Sequence, residues 1–136
     1  YKFEAGTQNV AGIIGFKESL DYLDLVGYEN IEAIEKDVFQ YLDDELRKIP
    51  DIEFYNDIED SIGSRSFNIK GIMHDDIGIL VDKMKIALRV GHHCAQPIMK
   101  QLGIKGTIRV SIAFYNDYND VDALIYALKK AIEMLK

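Results

Sequence analysis

The sequence contains a single cysteine, Cys94, and no tryptophan. One cysteine excludes an intrachain disulfide, and the reducing environment of the cytoplasm is therefore the expected compartment. The 3 histidines, two of them adjacent, add too few ligands for a structural zinc site. We therefore expect no metal site.

Long apolar runs and clusters of basic charge are also absent. No apolar segment approaches the roughly 18 residues that span a bilayer, and no segment concentrates lysine or arginine. The formal net charge of −7 is spread along the chain, which opposes binding to nucleic acid or to an anionic membrane. The N-terminus lacks an initiator methionine and an apolar signal core, so we expect the chain to be cut from a longer protein.

The residues that are present suffice for a folded domain. The chain has 136 residues, of which 48% are hydrophobic and 29% charged, as in globular proteins that bury a core. Apolar residues at three- and four-residue spacing predict long helices near 11–26, 29–48 and 118–135. The last helix has Asp117 or Asn119 as its expected cap.

Between the second and third long helices, the hydrophobic pattern changes from helical spacing to alternation. Alternating residues predict strands near 52–55, 66–70, 85–90 and 107–114. Shorter helices are predicted over 74–83 and 95–102. The order of these elements indicates an α+β fold, with a small and mostly antiparallel sheet covered by helices on one face.

The segment around Cys94 has the pattern of a reactive site. A predicted strand ends near Val90, Gly91 permits a sharp turn, and a helix is predicted to begin just after Cys94. Unpaired backbone N–H groups at a helix N-terminus, together with a cation such as Arg89, favour a thiolate over a thiol. A cysteine that packs as a small buried apolar residue accounts for the same position, so the pattern alone leaves both interpretations open.

Arg109 is a second candidate. On the predicted strand it shares a face with Thr107, Ser111 and Ala113, which are small or polar and leave the guanidinium room to reach a cleft. There it would hold a carboxylate through two parallel hydrogen bonds. The alternative is an arginine on the solvated face of a sheet.

A third candidate is the loop before the first helix, in which Gly6 and Thr7 offer backbone N–H groups and a hydroxyl to a phosphate. Many such junctions serve only to cap the helix that follows, and this alternative stays open as well.

Three segments, in the same order along the chain, carry a specific signature. Residues 89–99 read Arg-x-Gly-His-His-Cys-Ala-x-Pro-x-Met, residues 109–116 form an Arg-x-Ser strand leading to Tyr-Asn, and residues 3–15 read Phe-Glu-Ala-Gly-Thr-x-Asn followed by a glycine-containing helix. They extend from residue 3 to residue 116 of the 136. In these features the chain resembles the group II (Suf-type) cysteine desulfurases, within the class V aminotransferase superfamily.

The resemblance implies the C-terminal small domain of a fold type I enzyme that uses pyridoxal 5'-phosphate (PLP). Residues 1–28 would lead from a cofactor-binding domain, and residues 29–136 would form the small domain with the catalytic cysteine. In this family, sulfur moves from L-cysteine to an enzyme persulfide, L-alanine is released, and the sulfur supplies iron–sulfur cluster assembly.

The resemblance also implies roles for individual residues. Cys94 matches the nucleophile. Arg109 matches the arginine that pairs with the substrate carboxylate, and Arg89 a second arginine that lines the site. Gly6 and Thr7 match a loop that reaches the cofactor phosphate of the partner subunit in a homodimer. The adjacent pair His92 and His93 belongs to the motif, with a supporting role in shaping the loop.

Two departures from the family pattern stand out. Nothing in the sequence resembles the cofactor-binding domain or its Schiff-base lysine, so the 136 residues alone are expected to hold PLP poorly and to be inactive. Gln8 also replaces the proline usual in the loop. The short segment 91–94 resembles group II enzymes, in which a separate acceptor protein collects the sulfur. A selenocysteine lyase, another class V lyase and a stand-alone sulfur carrier remain alternatives.

Overall fold

The computed structural model describes residues 2–59 and 61–136, and the chain forms two compact units, residues 1–34 and 35–136. The predicted domain division between residues 28 and 29 concerns the longer protein and stays a prediction. The first unit contains helix α1, Val10–Val26, which is capped by the side chain of Asn9 and ends at Gly27 with φ 86°. No residue of α1 is buried.

The remaining elements follow the predicted order. They are α2 (Tyr28–Arg47), β1 (Ile52–Phe54), β2 (Ser64–Ile69), α3 (His74–Lys83), β3 (Arg89–Gly91), α4 (Gln96–Leu102), β4 (Thr107–Ser111) and α5 (Tyr118–Leu135). The strands form one sheet in the order β1-β2-β4-β3, and each neighbouring pair is antiparallel. The α+β class and the small antiparallel sheet are therefore confirmed.

One face of the sheet forms the core of the second unit. Inward residues of the two central strands are fully or almost fully buried together with residues from α2, α3 and α5. These residues include Phe67, Ile69, Ile108, Val110, Leu42, Leu46, Ile77, Val81, Leu124 and Leu128. The predicted apolar stripe of α2 is buried from Val38 onward, whereas Ile34 is exposed.

The largest differences from the predicted strands are at the start of β3 and at the end of β4. The strand predicted over 85–90 begins only at Arg89, because Lys85 has φ 69° and its N–H returns to the carbonyl of Asp82 in a turn after α3. The strand predicted over 107–114 ends at Ser111. Beyond it, the N–H of Phe114 donates to the Glu35 carboxylate at 3.1 Å instead of continuing the ladder.

An ion pair lies inside the core. Arg65 of β2 and Asp43 of α2 are only 1% and 2% exposed, and Arg65 Nε lies 2.7 Å from Asp43 Oδ1, without the alignment of a hydrogen bond. The guanidinium also lies over the ring of Phe54, 4.0 Å from its centroid, and the other Asp43 oxygen accepts from Arg47 Nε at 2.6 Å. This pair attaches α2 to the sheet by charge as well as by apolar packing.

Removal of Asp43 should destabilise the fold strongly. Asp43→Ala leaves the Arg65 charge buried without its partner, which costs about 3–5 kcal/mol, measurable by urea unfolding. The adjacent and exposed Asp44 is a matched control, since Asp44→Ala should change stability by no more than about 0.5 kcal/mol. Similar losses for the two variants would show that the ion pair does not stabilise the fold.

Candidate functional site

The face of the sheet opposite the core carries two adjacent arginines. In the register of β3 and β4, Arg89 lies directly across from Arg109, and Ser66 of β2 is the partner of Arg109 on its other side. Partners in an antiparallel pair project to the same face, with Cβ atoms about 4.5–5.5 Å apart. Like charges directly opposite each other destabilise a sheet, so an anion bound near this pair would offset that cost.

Neither arginine is neutralised within the part of the chain that the structure describes. Across residues 2–59 and 61–136, no carboxylate lies within 4.0 Å of Arg89 or Arg109. Arg109 is half-buried, and its Nε is buried without a hydrogen-bond partner among these residues. Arg109 therefore has unused donor capacity, as a carboxylate-binding arginine requires.

The ring of His93 is fixed against the start of β4. Its Nε2 lies 2.8 Å from the hydroxyl oxygen of Thr107 and 3.2 Å from the carbonyl oxygen of the same residue. A carbonyl only accepts, so we assign the ring proton to Nε2. Burial lowers the pKa of His93, and the charges of Arg109 and Arg89 lower it further, so the imidazole is neutral near pH 7.

Cys94 lies in a tight turn between β3 and α4. The turn begins at Gly91 with φ 106°, and His93 and Cys94 both adopt left-handed conformations with φ 55° and 57°. It is closed by hydrogen bonds to His92, whose carbonyl accepts from the Ala95 N–H at 2.8 Å and whose Nδ1 accepts from the Cys94 N–H at 3.0 Å. The predicted turn, and the helix that begins just after Cys94, are confirmed.

The side chain of Cys94 is exposed to solvent. Within this chain, Cys94 therefore does not pack as a buried core residue, and its sulfur is accessible to solvent. This exposure fits the functional interpretation of Cys94, although the role itself stays a prediction.

A depression of about 190 Å³ lies beside this turn. One wall is apolar and comes from α4, and the rest is largely polar and comes from β2, β4 and the chain after β1. The lining residues are Tyr55, Asn56, Ser66, His93, Ala95, Ile98, Met99, Leu102, Thr107 and Arg109. The structure thus brings Arg109 and His93 into one depression. Cys94 stands in sequence between two lining residues, His93 and Ala95, and Arg89 is the β3 partner of Arg109.

The predicted phosphate loop belongs to the first unit. Gly6 and Thr7 are exposed, and no heavy atom lies within 4 Å of the position that a Cβ on Gly6 would occupy. Gly6 has φ 76°, a conformation that side chains disfavour, and Gln8 donates to the Glu4 carboxylate at 2.6 Å. The loop backbone is open to an anionic group such as the phosphate of PLP.

Sequence reasoning missed several residues around the depression. Asn56 fixes the chain after β1, because its side chain accepts from the Ser66 N–H at 2.9 Å and donates to the Ser64 carbonyl at 3.1 Å. The alternation predicts the correct face for Thr107 but gives no sign of its contact with His93. The alternation along a strand identifies the face of a residue and not its partner from a distant loop.

Among residues 2–59 and 61–136, no group of three or more His, Cys, Asp or Glu side chains is arranged to hold a metal ion. None of the helices in this part of the chain has the length and apolar character needed to cross a membrane.

The amino-acid sequence has well-defined relatives. It is 39% identical over 137 residues to a cysteine desulfurase of Wigglesworthia glossinidia brevipalpis, a match that covers 100% of this chain and 33% of that protein. It is 40% identical over 133 residues to a probable cysteine desulfurase of Staphylococcus epidermidis, covering 97% of this chain and 32% of the relative. The chain therefore spans about a third of the length of these relatives.

Solved structures agree with the sequence relatives. The cysteine desulfurase CsdA from Escherichia coli superposes with a TM-score of 0.90 at 38% identity, covering 99% of this chain and 33% of that one. An apo cysteine desulfurase from Thermococcus onnurineus gives a TM-score of 0.89 at 32% identity, covering 98% and 34% of the two chains. The family model of the class-V aminotransferases matches residues 1–124. This chain belongs to the class-V aminotransferase family.

Proposed function

We propose that this chain is the C-terminal third of a PLP-dependent cysteine desulfurase. In this proposal, Cys94 takes the sulfur of L-cysteine as a persulfide, L-alanine is released, and the sulfur supplies iron–sulfur cluster assembly in the cytoplasm. The observation that carries the proposal is the juxtaposition of an exposed Cys94, held in a strained turn, with a face that presents two arginines. The desulfurases among the sequence relatives and solved structures support the same activity.

Sulfur transfer requires a nucleophile at Cys94. Its sulfur forms a bond to the substrate sulfur and loses its proton to solvent, while the substrate carbon–sulfur bond breaks and its electron pair stays with the carbon fragment. That fragment takes up a proton and leaves as alanine. Bound PLP supplies the electron withdrawal that allows this bond to break.

The arginines orient the substrate. Arg109 is half-buried and has free donors, so it would hold the substrate carboxylate in a charge-assisted pair, with the exposed Arg89 adding positive charge from the neighbouring strand. His92 and His93 shape the turn through the hydrogen bonds described above.

The cofactor would be held mainly outside this chain. Gly6 and Thr7, with their open loop backbone, would contact the PLP phosphate of the partner subunit in a homodimer. We therefore expect the 136 residues alone to be inactive. A separate acceptor protein would collect the sulfur from the exposed Cys94.

The paired arginines favour a desulfurase over a stand-alone sulfur carrier. A carrier that only relays a persulfide has no carboxylate substrate for Arg89 and Arg109 to hold. A selenocysteine lyase would use the same groups, so comparing L-cysteine with L-selenocysteine as substrates of the full-length enzyme separates these two activities.

The gene is the first test of the proposal. The reading frame upstream of Tyr1 should encode a PLP-binding domain with its Schiff-base lysine, and the purified full-length protein should show PLP absorbance and form alanine from L-cysteine. A start codon just before Tyr1, or a full-length protein that binds no PLP, would contradict the proposal.

Cys94→Ala in the full-length enzyme should abolish or severely reduce alanine formation and leave bound PLP unchanged, because the nucleophile is an exposed loop residue. Activity and the visible spectrum of the cofactor are measured together. Gln96→Ala, at the neighbouring exposed position, is the control and should remain active. Loss of PLP in Cys94→Ala would instead indicate a structural cysteine.

Arg109→Ala should reduce kcat/KM for L-cysteine about 10- to 150-fold, because it removes a charge-assisted hydrogen-bonded pair worth roughly 1.5–3 kcal/mol. Arg109→Lys should recover only part of this loss, since an ammonium group lacks the planar fork. Cysteamine, which lacks the carboxylate, provides the control substrate. Equal discrimination between cysteine and cysteamine by wild type and Arg109→Ala would show that Arg109 does not bind the carboxylate.

A further inference from the structure

Thr107 differs from the other polar residues on the open face of β4. It is 1% exposed, whereas Arg109 is half-buried and Ser111 is exposed. A buried hydroxyl normally has a hydrogen-bond partner, and here the partner lies outside the sheet, in the ring of His93 at 2.8 Å. The hydroxyl thus connects the central strand to the turn that contains Cys94.

The turn needs such a connection. His93 and Cys94 are consecutive residues in the left-handed region, which costs about 1–2 kcal/mol for each residue with a side chain. Strained conformations of this kind persist only where the surrounding structure determines them. The hydrogen bonds donated by the N–H groups of Cys94 and Ala95 both go to His92 and stay within the turn.

The contact of His93 with Thr107 joins the turn to a strand that is distant in sequence. The Ala95 carbonyl accepts from the N–H groups of Ile98 and Met99 in the adjoining helix α4. The ring of His93 instead bonds to Thr107, 14 residues further along the chain. The ring of His93 contacts both the hydroxyl and the carbonyl of Thr107, and these two contacts fix the orientation of the ring relative to β4.

The position of Thr107 is itself tightly fixed. A Cβ on the preceding Gly106 would lie 2.7 Å from the Gly91 carbonyl carbon and 2.6 Å from His74 Nε2, so only glycine allows this close approach. The Gly106 carbonyl also accepts from the side chain of Asn68 at 2.9 Å. The start of β4 is therefore a firm anchor for the turn.

We infer that Thr107 is a positioning residue for Cys94: its hydroxyl holds the ring of His93, and that ring holds the left-handed turn that presents the thiol. The inference rests on the proposed desulfurase function. Arg109 follows two residues later on the same face of β4, so one strand sets the position of both the carboxylate-binding arginine and the nucleophile.

Thr107→Val in the full-length enzyme tests this inference, because it removes the hydroxyl and keeps the β-branched shape. We expect kcat for alanine formation to fall about 3- to 10-fold, the effect of one lost hydrogen bond, with KM for L-cysteine within about twofold. Thr107→Ser should restore most of kcat. The control Ser111→Ala, at the exposed end of the same face, should leave both constants unchanged.

Amide hydrogen exchange of the full-length enzyme supplies a readout independent of catalysis. The peptide that contains residues 92–95 should exchange faster in Thr107→Val and at the wild-type rate in Ser111→Ala, because the turn opens more often without its anchor. If Thr107→Val fails to fold, His93→Asn removes the same contact by changing the other partner, and asparagine tolerates a left-handed backbone. This variant should show the same loss of kcat and the same faster exchange.

The outcomes distinguish failure of the positioning role from failure of the proposed function. An active, Cys94-dependent wild-type enzyme whose Thr107→Val variant retains kcat within twofold would overturn the positioning role, even if its melting temperature falls. An additional loss from Thr107→Val in the His93→Asn background would also contradict it, because the hydroxyl would then act by another route. A full-length wild-type protein that forms no alanine would overturn the proposed function instead, while unchanged exchange in Thr107→Val would overturn the anchor itself.

Discussion

The alternation of side chains along β4 determines both faces of the second unit. β4 is hydrogen-bonded to β2 on one side and to β3 on the other, which fixes its register from two directions. In this register Ile108 and Val110 lie in the core, and Thr107 and Arg109 lie on the opposite face. A slip by one residue would exchange the two sets, so the packing of the core and the placement of the site depend on the same ladder.

The candidate site is positively charged, whereas the chain as a whole is negatively charged. The formal net charge is −7, yet Arg89 and Arg109 lie side by side without a carboxylate partner among the described residues. Arg65, on the other face of the same sheet, has the opposite environment, because Asp43 compensates it in the core. The sheet therefore carries one arginine whose charge is paired inside the core and two whose charge is available to an anion.

Much of the fold was predictable from the sequence, since helical spacing and alternation are local signals. Long helices were placed to within one or two residues, because several apolar positions repeat over many turns. The largest errors are at the start of β3 and the end of β4. The turn at Lys85 and the end of the ladder before Phe114 depend on hydrogen bonds to a preceding and to a distant group, which no periodicity reveals. Resemblance to a family supplied the predicted roles of Cys94 and Arg109, which spacing alone left open.

The partners in the long-range contacts of the core and of the candidate site could not be predicted from the sequence. Arg65 alternates in step with Phe67 and Ile69 along β2, so the sequence does place its side chain on the core face. Its partner Asp43 lies on another element, α2, and alternation does not identify it. The contact between His93 and Thr107 joins residues 14 positions apart in the chain and depends on the register of β3 and β4. Such contacts follow from tertiary structure, where geometry and not composition selects the partner.

The central claim is that the exposed Cys94 receives sulfur from a substrate held by arginine. Mass spectrometry of the Cys94 peptide, after brief treatment of the full-length enzyme with L-cysteine and alkylation, tests it most directly. The account predicts one additional sulfur atom on Cys94 in wild type, and a much lower yield in Arg109→Ala. Alanine formation at the normal rate with no sulfur on Cys94 would contradict it.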